Sequence, residues 1–122
     1  MVIFDTNILI EIYRGNESIK KEIYTHNFEN VDISDITAAE FLIGARDKKE
    51  LVLIKRALNF YNSIPINTSI SELAVQLCEK FTLSHKPSIP DLLIAATSIH
   101  YKIPLFTLNK KDFVYLPNLT LI

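Results

Sequence analysis

Apolar residues fall along this chain in two rhythms. Short apolar or alternating segments predict strands: "MVIFD" (1–5), "VDIS" (31–34), "SIPI" (63–66), "LFT" (105–107) and a weaker terminal "LTLI" (119–122). Between them the spacing changes. Ile8 and Ile12, Ile19 and Ile23, Leu51, Ile54 and Leu58, and Leu73, Leu77 and Phe81 recur every three or four residues, as on one face of a helix. Pro90 suits the first turn of a helix running to about Tyr101, and Pro104 falls just past its end. Strands alternating with helices predict an α/β fold with a parallel sheet covered on both faces.

Composition narrows this picture. The chain has 122 residues, enough for one domain (1–122) with one core, and 48% hydrophobic content excludes a disordered chain. The formal net charge is −1, without the basic excess typical of a nucleic-acid binder. An acidic cleft bridged by a metal would still admit a polyanion. Cys78 is alone, so no internal disulfide forms and a reducing compartment is expected. Asp5 and Glu11 interrupt the first apolar stretch, which therefore does not read as a leader, and no run reaches the roughly 18 residues of a membrane span. The expected location is cytoplasmic. Two glycines in the whole chain argue against a glycine-rich phosphate loop.

The first strand nevertheless ends in a carboxylate, Asp5. A buried unpaired charge is costly, so Asp5 needs a donor, a cation or a cleft. Parallel sheets bind ligands at the carboxyl ends of their strands, and Asp5 stands at such an end. Other acids follow the same rule. Glu40 lies about one helical turn after the second strand, Asp91 sits at the start of the helix leading to the fourth strand, and "TLNKKDF" puts Asn109 and Asp112 after that strand. Taken singly, each has a structural use. Asp5 could cap a helix, Thr37-x-x-Glu40 has the form of a capping box, and Asp91 suits a helix N-terminus. Asn109 and Asp112 suit a turn. Those uses predict scattered acids, whereas these fall on one rim. Four crowded carboxylates repel, and a hard divalent cation, Mg²⁺ or Mn²⁺, resolves the conflict. With a phosphate bound, such an ion activates water, which points to phosphodiester hydrolysis without a covalent enzyme intermediate.

Other chemistry has less to build on. His26, His85 and His100 are isolated and read as surface histidines, with no zinc spacing among them. Cys78 reads as a small core residue. Most lysine pairs read as solvated helix faces, but Lys110 and Lys111 adjoin the expected cleft and could touch an RNA backbone.

In their order and spacing, "FDTN", "TAAEFLIGA", "PDLLIAAT" and "TLNKKDF" resemble the PIN domain. More narrowly they resemble the VapC toxin ribonucleases of toxin–antitoxin pairs, over nearly the whole chain. The resemblance implies a three-layer α/β/α fold with a parallel sheet of four or five strands, and a Mg²⁺- or Mn²⁺-dependent endoribonuclease. It makes Asp5, Glu40, Asp91 and Asp112 the metal-binding acids, with Asp112 the peripheral one. Asn7, Thr37, Thr107 and Asn109 become supporting residues, the last two orienting the final loop. It also implies a homodimer held in check by a small antitoxin, whose C-terminal segment lies across the cleft. Contacts with such partners would fall on the apolar helices within 8–27 and 36–60. tRNA is a common substrate in the family. One departure is Leu108, where relatives often carry arginine, which puts a basic contact in doubt and leaves the metal site untouched. Other acid-pocket folds fit less well. A receiver domain needs an acid after its third strand, where this chain has Asn67. A haloacid-dehalogenase-type phosphatase needs one two residues after Asp5, where it has Asn7. A housekeeping RNA-processing PIN nuclease and a non-catalytic PIN module are the remaining readings.

Overall fold

In the computed structural model, which describes residues 1–122, the first strand stops one residue before its charge. The elements run β1 (Val2–Phe4), α1 (Thr6–Tyr13), α2 (Glu17–His26), β2 (Val31–Ser34), α3 (Asp35–Ile43) and α4 (Lys48–Leu58). They continue with β3 (Asn62–Ile64), α5 (Thr68–Phe81), α6 (Ile89–Tyr101), β4 (Leu105–Phe106) and a single 3₁₀ turn at Lys110–Asp112. The sheet order is β3-β2-β1-β4, and every pairing is parallel. The chain therefore walks outward from β1 through β2 to β3, then returns to the other side of β1 with β4. That reversal opens a crevice at the carboxyl ends of β1 and β4.

Alternation along the strands divides the core. Val2 and Phe4 join Ile8, Leu9, Ile19, Ile33 and Ile54 on one face, while Ile3 joins Ile70, Leu77, Ile94 and Leu105 on the other. Helices α1, α2 and α4 thus cover one face and α5 and α6 the opposite one. Helix α3 reaches both, with Phe41 in the first cluster and Ile36 against the second. The result is the expected three-layer α/β/α arrangement, with four strands.

The departures from expectation have local causes. Span 8–27 is two helices, broken where Gly15 takes φ +79°, and span 36–60 is two helices broken between Gly44 and Asp47. Strand β3 ends at Ile64 because Pro65 has no N–H to donate. The terminal "LTLI" forms no strand. Asn118, at φ +65°, turns the chain so that only Leu121 bridges Leu105. Thr37 does not cap α3; Ser34 does, its hydroxyl accepting from the Ile36 N–H. Asn16, Asp47, Asn67 and Ser88 cap α2, α4, α5 and α6 in the same way. No helix is long and apolar enough to cross a membrane.

Helix α6 ends on Lys102, which adopts a left-handed conformation at φ +56° that favours glycine. Lys102→Gly is expected to raise unfolding free energy by about 0.5–1 kcal/mol in urea titration. No change, or a loss, would show that the lysine side chain contributes at this cap.

Candidate active site

Register builds the centre of the site. Phe4 pairs with Phe106, so the next residue of each strand, Asp5 and Thr107, meet where the ladder ends. The Asp5 N–H donates to the Phe106 carbonyl at 2.9 Å. The Thr107 hydroxyl donates to Asp5 Oδ2 at 2.7 Å, and the Thr6 N–H donates to Asp5 Oδ1 at 2.8 Å. Asp5 thus caps α1 and faces the crevice at once. Each carboxylate oxygen keeps a further lone pair for another partner. Only 5% of Asp5 is exposed. Burial pushes its pKa up, the bonds from Thr107 and Thr6 pull it down, and the charges of Glu40 and Asp112 push it up again, for a net rise.

The other predicted acids arrive from separate segments. Glu40, on α3, accepts from the Thr6 hydroxyl at 2.7 Å, and that hydroxyl lies 3.2 Å from the buried Thr37 hydroxyl. Thr37 and Glu40 therefore meet through Thr6 on α1, not through a capping box. Asp91 is the third residue of α6, where its N–H donates to the capping Ser88 hydroxyl. Burial raises its pKa, Ser88 lowers it, and Asp5, Asp112 and Glu40 raise it, again for a net rise. Asp112 stands exposed in the 3₁₀ turn. Asp5 and Asp91 therefore each feel the charges of Glu40 and Asp112.

Polar residues fix the last loop. Asn7 Nδ2 lies 3.4 Å from the Thr107 hydroxyl, and Asn7 Oδ1 accepts from the Leu108 N–H at 3.3 Å. Asn109 acts through its backbone, its N–H donating to the Thr107 hydroxyl at 3.0 Å; its side chain does not cap the turn.

None of the four acids is in an ion pair. The ion pairs join Arg14 to Glu11, Lys20 to Glu17 and Arg46 to Glu50, while Lys86 and Lys111 line a pocket with Asp91 and Asp112 without pairing to them. No three acidic, histidine or cysteine side chains stand close enough together to hold a metal ion by themselves. Mg²⁺ and Mn²⁺ are small hard ions that keep several waters and use few carboxylates. Asp5, buried and held by two donors, presents oxygen ligands of the kind such an ion takes, and the charges of Asp91, Glu40 and Asp112 reach it.

Several residues at the site were not anticipated. Thr6 lies inside "FDTN", whose spacing could have raised it. His85, expected as an isolated surface histidine, stacks on Tyr115 at 3.9 Å and shares a pocket with Asp91 and Asp112. Burial, then Asp91 and Asp112, push the Tyr115 phenol pKa up, so the ring is neutral. His26 likewise stacks on Phe28, at 5.1 Å. Cys78 is half-buried against the core, as expected.

The PIN domain family model matches residues 2–118, a span that contains every residue of this rim. The chain belongs to the PIN domain family. Within the family it is of the VapC type. It is 31% identical to Ribonuclease VapC of Rickettsia bellii over 97% of this chain and 92% of that protein. A toxin-antitoxin complex from Klebsiella pneumoniae contains a chain of the same fold, with TM-score 0.83 and 31% identity, covering 100% of this chain and 96% of that one. VapBC2 from Rickettsia felis, solved bound to a promoter DNA fragment, matches with TM-score 0.80 and 25% identity, over 100% of this chain and 98% of that one.

The raised pKa values of Asp5 and Asp91 set the sign of a pH effect in this PIN domain. Above the ordinary value of 3.8 the folded chain binds these protons more readily than the unfolded chain. Metal-free stability attributable to them therefore rises as pH falls through their raised values towards the ordinary 3.8, and is lost as pH rises above them. In EDTA, Asp91→Asn is expected to raise the Tm by roughly 1–3 °C at neutral pH and to flatten this slope. Added Mg²⁺ should then stabilise the wild type more than the variant. A lower Tm and an unchanged slope would mean that Asp91 feels no crowding.

Proposed function

We propose that this protein is a Mg²⁺- or Mn²⁺-dependent endoribonuclease, the toxin of a VapBC-type pair, acting as one domain over 1–122. The carrying observation is the set of four carboxylates around the Asp5–Thr107 bond, where Asp5 and Asp91 each feel the charges of Glu40 and Asp112 and none of the four is in an ion pair. Kinship with a protein named Ribonuclease VapC supports the same reading. It puts the chain in the cytoplasm, with structured RNA, tRNA among the candidates, as substrate.

In this reading Asp5, Asp91 and Glu40 hold the ion, and Asp112 acts from the exposed rim. The bound ion supplies water activation and charge neutralisation at the scissile phosphate. The chain's own residues supply orientation. Thr107 and the Thr6 N–H fix both oxygens of Asp5, and the Thr6 hydroxyl turns Glu40 toward the same crevice. Partners that hold ligands in this way commonly matter 10- to 100-fold. Lys111, beside Asp91 and Asp112, and its neighbour Lys110 are the phosphate contacts.

The antitoxin, a small VapB-like protein, has a seat next to the acids. A groove of about 430 Å³ between α1, α3 and α4 is lined by Ile10, Tyr13, Phe41 and Ile54, with Glu40 and Arg46 among its polar residues. A segment with apolar anchors and a basic residue near Glu40 suits it. A homodimer is part of the same proposal.

Cleavage of a labelled structured RNA tests this reading. It is expected with Mg²⁺ or Mn²⁺ and lost in EDTA. Asp5→Asn should reduce it more than about 100-fold with the fold intact. Thr107→Val, which removes the bond to Asp5 together with the acceptor for the Asn109 N–H and Asn7 Nδ2, should cost about 10- to 100-fold. Asp112→Asn should do less harm than Asp91→Asn. Full activity in Asp5→Asn would overturn the assignment.

A further inference from the structure

Resting on that nuclease reading, we infer that the pocket beside Asp91 and Asp112 is a subsite for one unpaired nucleotide of the substrate, its base stacked on the His85–Tyr115 pair. The pair is built from two distant segments. His85 lies in the connection between α5 and α6, and Tyr115 follows the 3₁₀ turn that carries Asp112. Phe113 and Leu116 are buried and anchor that segment in the core, which turns Tyr115 outward between them. The two rings lie parallel, 10° apart, with centroids at 3.9 Å. Phe81 braces both edge-on, at 5.0 Å from Tyr115 and 5.8 Å from His85. The Ser84 hydroxyl, 2.7 Å from His85 Nδ1, steadies the imidazole.

A stacked pair that served only to pack the loop would have no reason to stand in the wall of the acidic crevice. This one does. The pocket of about 290 Å³ is lined by His85, Lys86, Asp91, Lys111, Asp112 and Tyr115. It therefore holds an aromatic platform, two ammonium groups and two of the four rim acids. That combination matches a single nucleotide: a flat π-face for the base, cations for the flanking phosphates, and the hydrolytic centre alongside. His85 is exposed and Tyr115 half-buried, so the outer face of the ladder is the histidine's. The volume is at the small end for ligand pockets, suited to one splayed nucleoside and too small for a base pair within a helix. Proteins that read RNA commonly stack splayed, unpaired bases in this manner, in loops and single strands. The subsite thus selects unpaired RNA at the cut, and stacking tolerates any of the four bases.

The test uses full-length protein carrying Asp5→Asn and single-stranded heptanucleotide RNAs with 2-aminopurine at each position in turn. Quenching is expected at one position, with duplex RNA of the same sequence competing at least about 10-fold more weakly. Adding His85→Ala or Tyr115→Leu should abolish that quenching and raise Kd about 5- to 100-fold, while His85→Trp retains both. In the active background His85→Ala should raise KM and leave kcat near wild type. If cleavage is normal but both substitutions leave quenching and KM unchanged, the subsite is refuted and the nuclease reading stands. Equal competition by duplex RNA refutes it too. If the wild type cuts no RNA yet the quenching and its loss in His85→Ala are seen, the subsite stands and the nuclease reading fails.

Discussion

The bond between Thr107 and Asp5 ties the end of the sheet to the site. β4 is two residues long and joins β1 through two register pairs, Ile3 with Leu105 and Phe4 with Phe106. The next pair in register is Asp5 and Thr107, and there a side-chain bond replaces the ladder. A threonine hydroxyl has one proton and two acceptor sites. At Thr107 the proton goes to Asp5, the Asn109 N–H takes one acceptor site and Asn7 Nδ2 approaches the other. The hydroxyl is saturated, so its direction is fixed. Asp5 receives donors on both oxygens, which favours the ionised form that burial disfavours. The same small network ends the strand, starts α1, anchors the last loop and presents an oriented carboxylate.

That arrangement makes the metal-free rim an electrostatic liability. A net charge of −1 suggests a bland surface, yet the ion pairs that form are local ones on α1 and α2 and around the start of α4, and none takes up a rim acid. Such exposed pairs contribute little to stability. The four acids are left to repel one another, and desolvation of Asp5 adds to the strain. A fold selected for stability alone would pair these acids with bases. Under the proposed function, a bound cation relieves the repulsion instead.

Much of this was legible in residues that act through local rules. An unbroken apolar run marked β1, the alternating "VDIS" marked β2, and Pro90 marked α6 within a residue. The acids at strand ends marked the rim. What was hidden depends on contacts distant in sequence. Thr37-x-x-Glu40 looks like a capping box because that motif is local, but Ser34 reaches the helix start first and frees both residues for Thr6, more than thirty positions away. The terminal "LTLI" has strand composition, but the turn at Asn118 lets a single residue pair. His85 and Tyr115 are thirty residues apart with no periodicity linking them, and only the α5–α6 hairpin and the anchors Phe113 and Leu116 bring their rings together.

Glu40 belongs to two environments at once, and this has a thermodynamic consequence. It faces the acid cluster through Thr6 and lines the groove between α1, α3 and α4. A positive charge brought to Glu40 from the groove relieves part of the repulsion that a cation at Asp5 relieves from the crevice. Two ligands that draw on the same excess charge each lose affinity when the other is bound, and linkage requires the two losses to be equal. Under the proposed function, a partner in the groove therefore need not reach the scissile phosphate to oppose catalysis. It needs only to neutralise the carboxylate that α3 shares between the two sites.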